Sequence, residues 1–204
     1  MAGIPLTRNL VPVEKAEAIR AAVCAAKVLP SAFGGSILAE EAHAAAFHEF
    51  LSDPAIHAPI YSLPAPLDEA SVRTFIRQHI EERDAGEGLL FLGFDEVGEV
   101  AGYSDIQVWP QWAAAELGGA LRADRQSSGQ GAAGAKSSFE WLFNELDIDL
   151  ICETASLENV RTARLLDALG FARMGEITST RTDGTTRPSL VWEITREAWA
   201  AKYS

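Results

Sequence analysis

The sequence predicts a single α/β domain of the α+β kind: a mixed, mostly antiparallel central sheet flanked by helices, preceded by an N-terminal helical extension. Three observations predict it. The first third carries apolar residues at helical spacing, the pattern shortens at Gly88 into compact apolar runs, and strands and helices alternate beyond Gly131. A length of 204 residues supports one core, and 48% hydrophobic with 23% charged residues is the balance of a globular chain. That balance excludes a disordered tail, a collagen-like fibre and a disulfide-stapled mini-protein.

Glu14 to Lys27 is alanine-rich without Gly or Pro, and Pro30 ends that helix. A second helix is expected from about Leu38 to Leu51, with Ala39, Ala42, Ala46, Phe47 and Phe50 on one stripe and Ser52-Asp53-Pro54 as its stop. After Pro66-Leu67-Asp68, a third carries Val72, Phe75, Ile76 and Ile80 to about Arg83. Gly88 to Phe94 is a short apolar strand, and Glu99 to Val108 and Ala114 to Leu121 read as the next two. Ser128-Gly129-Gln130-Gly131 opens a helix to about Leu146, with Ala135, Phe139, Leu142, Phe143 and Leu146 facing inward. Asp149 to Thr154 is a buried strand, and a helix from about Leu157 to Leu169 closes at Gly170. Asp183-Gly184 suits the tight reversal of a hairpin, followed by the segment Trp192 to Trp199. The one boundary falls near Ser36: residues 1–36 are expected as an extension packed on the domain, and residues 37–204 as the domain itself.

Lys and Arg number 17 against 29 Asp and Glu, a net charge of −12. Such a surface repels polyphosphate, so nucleic acid is not an expected partner, and it leans toward cationic partners, amines among them. The chain start lacks a basic run followed by an apolar core, and no stretch reaches the ~18 apolar residues of a membrane span. The expectation is a cytoplasmic protein with no membrane partner. Cys24 and Cys152 form no C-x-x-C pair and read as small buried hydrophobes. His43, His48, His57 and His79 lack metal-ligand spacing and read as surface or local hydrogen-bonding residues, so no metal site is expected. Trp109-Pro110-Gln111-Trp112 is either a loop anchored by aromatics or a substrate-side wall or homodimer contact.

Three readings compete for the glycine-rich turn. Gly129-Gln130-Gly131-Ala132-Ala133-Gly134 matches the G-x-G-x-x-G of a dinucleotide site, which would make the chain an oxidoreductase. Against that, Arg122 to Ser128 separate the first glycine from its strand, and too few parallel strand–helix units remain. A P-loop fails because Ala135 stands between Gly134 and Lys136. The third reading takes Gln126-Ser127-Ser128-Gly129-Gln130-Gly131 as Q-x-x-G-x-G before a helix, whose unpaired N–H groups can receive a pyrophosphate while Ala132 and Ala133 keep the first turn slim.

Ala115-Glu116-Leu117-Gly118, Gln126-x-x-Gly129-x-Gly131 and Asn159-x-x-Thr162-x-x-Leu165-Leu166-x-x-Leu169-Gly170-Phe171, taken together, resemble the GNAT superfamily of acyl-CoA-dependent N-acetyltransferases. In detail the chain looks like the branch containing the ribosomal-protein N-terminal serine and alanine acetyltransferases, over roughly Leu38 to Trp199. The resemblance implies acetyl transfer from acetyl-CoA to an amine acceptor in one direct step, with a carboxylate or ordered water as base and a backbone N–H facing the developing oxyanion where two strands splay. It further implies that Leu121 and Ala123 offer strand-edge groups to the pantetheine. Arg125, Gln126, Ser128, Gly129, Gln130, Gly131 and Ala132 would hold the pyrophosphate, and Asn159 would meet the pantetheine or a bridging water. Glu116 is the first choice as base, with Asp105 and Glu153 in reserve. Leu166 stands where many members place a Tyr that protonates the leaving thiolate. That absence keeps open a different class of protein, an acyl-CoA-binding module that catalyses nothing. The chain departs from the branch in a longer stretch from Leu121 to Gly129, in Arg187-Pro188 where an Arg-Asp pair is usual, and in residues 1–36, which match nothing in it.

Overall fold

Residues 4–30, 35–125 and 130–203 are described by the computed structural model. In order they form α1 (Val13–Ala25), β1 (Val28–Leu29), β2 (Ser36–Leu38), α2 (Ala44–Leu51), α3 (Pro54–His57), α4 (Glu69–Ala85), β3 (Gly88–Phe94), β4 (Val100–Trp109), β5 (Ala114–Leu121), α5 (Gln130–Glu145), β6 (Leu150–Ser156), α6 (Val160–Leu169), β7 (Ala172–Thr180), β8 (Thr186–Thr195) and α7 (Arg196–Tyr203). The strands make one sheet in the order β1-β2-β3-β4-β5-β6-β8-β7. Every described pairing is antiparallel except β5 with β6, which α5 joins as a crossover. The fold class is therefore the one expected.

β3 shows how the sheet carries two cores. Its unbroken apolar run sends Leu89 and Phe91 to one face and Leu90 and Leu92 to the other, all buried. On the first face they join Ile19 and Val23 of α1, Phe139, Leu142 and Phe143 of α5, Leu166 of α6 and Trp199 of α7. On the second they meet Phe47 and Phe50 of α2, Val72, Phe75 and Ile76 of α4, and Tyr103. Local chemistry sets the ends of the helices: Asp68 caps α4 by accepting from Ser71 N–H at 2.8 Å, and left-handed Gly86 and Gly170 end α4 and α6.

Three features differ from the sequence reading. Residues before α2 are not only helical: β1 and β2 add two edge strands, with Ile37 opposite Leu92 and Leu38 opposite Phe91, so the boundary at Ser36 falls within β2. Strands of two and three residues are too short to show a period. α2 starts at Ala44, after a 3-10 turn at Glu41–His43, and α7 follows β8 directly. Cys24 is exposed rather than buried; Cys152 is buried as expected.

The N-terminal segment runs along one end of the sheet, where Trp109 pairs with Ala114, Ala114 with Leu150 and Leu150 with Thr195. Leu6 and Thr7 donate their N–H groups to buried Glu193 Oε1 at 2.7 and 3.0 Å, Val11 N–H reaches the Gln111 carbonyl at 3.1 Å, and Arg8 stacks on Trp112 at 4.8 Å. Trp112 is thus an anchor for this segment. Lys15 pairs with Asp149 and Arg20 with Glu87, at 2.7 and 2.6 Å. Arg20 also donates to the Ala85 carbonyl at 2.9 Å, and a Cβ added at Gly86 (φ 73°) would come within 2.6 Å of Arg20 Cβ. Gly86→Ala should therefore lower stability by roughly 2 kcal/mol, from the strained backbone and the displaced α1. A urea midpoint unchanged from the parent would show that α1 does not press on this turn.

Candidate active site

β5 and β6 run together for only part of their length. Ala114, Ala115 and Glu116 pair with Leu150, Ile151 and Cys152, and there the parallel ladder stops. β5 continues along β4 to Leu121, while β6 continues along β8 to Ser156. The wedge between them belongs to a cleft of about 2190 Å³ that crosses the sheet. Because N–H and C=O alternate along a strand, Leu117, Gly119 and Leu121 turn theirs toward the opened edge of β5. Leu117 N–H donates to Glu153 Oε1 at 3.0 Å, so a side chain stands in for the missing strand at the apex. Beyond it, Gly119 lies on an edge of the kind that an extended amide chain can join as a further strand.

On the second face of the sheet, four polar side chains converge from four elements. Glu116 of β5 is half-buried and accepts a 2.7 Å hydrogen bond from Thr154 Oγ1 of β6. Asp105 of β4 receives His79 Nε2 of α4 at 3.0 Å, and His79 Nδ1 donates to the Phe75 carbonyl at 2.9 Å. Burial raises Glu116 to about 7; the Thr154 hydrogen bond opposes this and the Asp105 charge adds to it. Burial also raises Glu153 well above the carboxylate range, with the Glu116 charge adding. For His79, burial works against the charged form, but the hydrogen bond and charge of Asp105, the Phe75 carbonyl and Glu82 outweigh it and lift His79 to about 9. A carboxyl near neutrality beside an imidazolium and an open strand edge is equipped to accept a proton from an incoming amine. Tyr103 also lines the cleft, and its buried hydroxyl has no hydrogen-bond partner among the described residues.

A family model, "Acetyltransferase (GNAT) domain", matches residues 38–172, more than half of the chain. The chain belongs to the GNAT acetyltransferase family. Solved structures carry the same fold at low identity. Ribosomal-protein-S5-alanine acetyltransferase from Vibrio fischeri matches with a TM-score of 0.66 and 17% identity, covering 81% of this chain and 94% of that one. RimJ of Mycobacterium smegmatis, solved with CoA-disulfide, gives 0.68 and 20% over 84% and 87%. Spermidine N-acetyltransferase SpeG of Vibrio cholerae, solved as a mutant, gives 0.66 and 14% over 83% and 99%. No curated protein sequence matches this chain. Family membership and a sheet with a single parallel pairing among the described strands remove the dinucleotide-binding reading.

Within the GNAT frame, the expected residues fall as follows. Glu116, Asp105 and Glu153 all line the cleft, Glu116 and Asp105 on one sheet face and Glu153 at the apex. Leu121 ends β5 at the opened edge, but Ala123 is not strand: it starts an exposed 3-10 turn, Ala123–Arg125, because the chain leaves the sheet at Arg122. Arg125 lies in that turn with Nε 3.6 Å from Asp124. Gln126, Ser128 and Gly129 lie outside the described residues; Gln130, Gly131 and Ala132 form the first turn of α5. Asn159 caps α6, its Oδ1 accepting from Thr162 N–H at 3.1 Å, which leaves its amide NH2 as a donor beside the cleft. Leu166 is buried. Among the described residues no group of three or more His, Cys, Asp and Glu could hold a metal ion, and no helix is long and apolar enough to cross a membrane.

The sequence reading missed His79 and Thr154. His79 is not at the surface: it makes the local hydrogen bond allowed for, to Phe75, but is buried with its other nitrogen on Asp105. The signal for that was its spacing after Val72, Phe75 and Ile76 on the buried stripe of α4. Its titration has a consequence for stability. A group raised from 6.5 to about 9 on folding stabilises fully below pH 6.5, and that contribution is lost as pH rises through 9. His79→Gln should flatten the fall in unfolding free energy between pH 6.5 and 9, a change of about 3 kcal/mol at most. Parallel pH–stability curves for parent and variant would remove the charge from His79.

Proposed function

We propose that this acetyltransferase moves the acetyl group of acetyl-CoA to a primary amine, either a small molecule or a peptide N-terminus, with Glu116 as general base. The single observation that carries the reading is Glu116, a carboxyl held near pH 7 where β5 and β6 part. The residues present fit acetyl-CoA. Among the described residues, Gly131 has only Leu121 Cδ1 within 4 Å of an added Cβ and Gly134 has nothing, which suits close approach of phosphates to the first turn of α5. The opened edge of β5 offers N–H and C=O groups to the pantetheine amides.

When bound, acetyl-CoA supplies a thioester carbonyl as electrophile. Glu116 takes the proton of the amine, which near neutral pH is mostly ammonium, and so produces the lone pair that attacks. Thr154 fixes the Glu116 carboxyl, and Asp105 holds a negative charge near it that favours the protonated product of this transfer. Backbone N–H groups of the opened edge face the place where charge develops on the carbonyl oxygen. With Leu166 in place of a tyrosine, protonated Glu116 returns its proton, through water, to the thiolate as the C–S bond breaks. The second proton of the former ammonium leaves the amide nitrogen to solvent. A binding module without catalysis would instead show the acetyl-CoA thermal shift with no turnover of any acceptor.

Glu116→Gln should preserve acetyl-CoA affinity, measured by thermal shift, while CoA release with amine and peptide acceptors falls roughly 10²-fold. The loss should be partly recovered at high pH, where the acceptor is already deprotonated. A parent-like rate and pH profile would move the base to Asp105 or Glu153. Gly131→Val should keep the fold and abolish the acetyl-CoA shift; an unchanged shift in the folded variant would take the phosphates away from α5.

A further inference from the structure

Two arginines, Arg187 lining the cleft and Arg181 across its hairpin, are held without an ion pair in a chain where carboxylates outnumber cations. Arg181 and Arg187 lie against Tyr61, their guanidinium carbons 4.5 and 3.9 Å from the ring centroid. Arg181 Nη2 donates to the Ala58 carbonyl at 2.9 Å and Arg187 Nη1 to the Pro59 carbonyl at 2.7 Å. Neither forms an ion pair among the described residues, and the Nε of each is buried without a partner. The nearby carboxylate of Asp183 is committed to its own turn, accepting from Thr185 N–H at 2.8 Å. Burial lowers the Arg187 pKa, and the like charge of Arg181 adds to this. Asp183 meets Arg181 through charge alone, without an ion pair, so two fixed cations with no salt bridge among the described residues form a seat for a carboxylate.

The sheet register relates this seat to the base. Thr154, which holds Glu116, is opposite Val191 of β8, Ser156 is opposite Ser189, and Ser179 of β7 is opposite Arg187. Residues two apart share a face, so Val191, Ser189 and Arg187 lie on the face that carries Thr154 and Glu116. From Val191 to Arg187 is four residues, roughly 13 Å along the strand. The floor between mixes apolar Val191 and Ile177 with the pair Ser179 and Ser189, hydrogen-bonded at 2.8 Å. We infer that Arg181 and Arg187 form a carboxylate-binding subsite of the acceptor groove, which selects peptide N-termini bearing Asp or Glu at the third to fifth position. A peptide lying extended over this floor places its amine at Glu116 and such a side chain at Tyr61. The inference rests on the acetyl-transfer reading and narrows its acceptor.

The test compares a hexapeptide carrying glutamate at its fourth position with the same peptide carrying glutamine, following CoA release and, separately, binding by calorimetry. The parent should prefer the glutamate peptide about tenfold or more in kcat/KM, through KM. Arg187→Gln and Arg181→Gln should erase that preference while leaving turnover of the glutamine peptide unchanged, and Arg187→Lys should retain part of it. Loss of the Tyr61 contact could unsettle Arg187→Gln, so its thermal midpoint is compared with the parent's, and Arg181→Gln serves as the independent variant. Equal turnover of both peptides by the parent, or a preference that survives in the folded variants, overturns the subsite. Better acetylation of a polyamine than of either peptide does so too. Arginine-dependent binding of the glutamate peptide without any turnover would keep the subsite and sink the assignment of Glu116.

Discussion

The parallel ladder between β5 and β6 is broken after Glu116 and Cys152 by a side chain: the Glu153 carboxyl takes the Leu117 N–H that a strand partner would otherwise receive. An unpaired buried N–H would draw the strands together or destabilise them. Its partner here is fixed to β6 itself, so the apex is satisfied while the edge beyond it stays open. Each strand is secured on its outer side instead, β5 by eight register pairs to β4 and β6 by seven to β8. The opening is a permanent property of the sheet and needs no rearrangement to form.

The two cores brace this wedge differently. Below one face, α1, α5, α6 and α7 pack a continuous apolar layer, with Trp199 against Phe139 and Phe143. The other face is covered by α2 and α4 only as far as Tyr103, and beyond that line polar groups take over. There Glu116, Asp105 and His79 are kept partly dry by the same helices that make up the core. Buried carboxyls whose protonation is favoured work against stability near neutrality. The His79–Asp105 pair limits this effect by placing a cation where the sheet would otherwise hold acid alone.

Legibility in the sequence followed the range of the forces involved. β3 was readable because a strand buried on both faces needs an unbroken apolar run, and Gly170 because only the local backbone decides a left-handed cap. That Glu116 lines the cleft agrees with its expected place at the head of the strand leading to the glycine turn. β1 and β2 were not readable, since strands that short are defined by what they pair with. His79 looked like one more helix residue until α4 was placed over Asp105, and Thr154 gains its meaning only from the parallel register. Arg181 and Arg187 are six residues apart across a hairpin, and Tyr61, which joins them, lies more than a hundred residues away. Ala123 failed for the opposite reason: the strand pattern gave no sign of the 3-10 turn that ends it.

The carboxyls around the wedge also divide the chemistry of the two thiols. Cys152 faces them from β6 with its Sγ on the Ala115 carbonyl, and burial, with the charges of Glu116, Glu153 and Glu193, pushes its thiol well above the ordinary range. A thiol so held stays protonated and out of reach of electrophiles. Cys24 is exposed on α1, the helix that covers the opposite face. Among the described residues the molecule thus offers one exposed thiol, Cys24, whose Sγ rests on the Arg83 and Asp84 carbonyls of α4, as a site for a fluorophore or spin label.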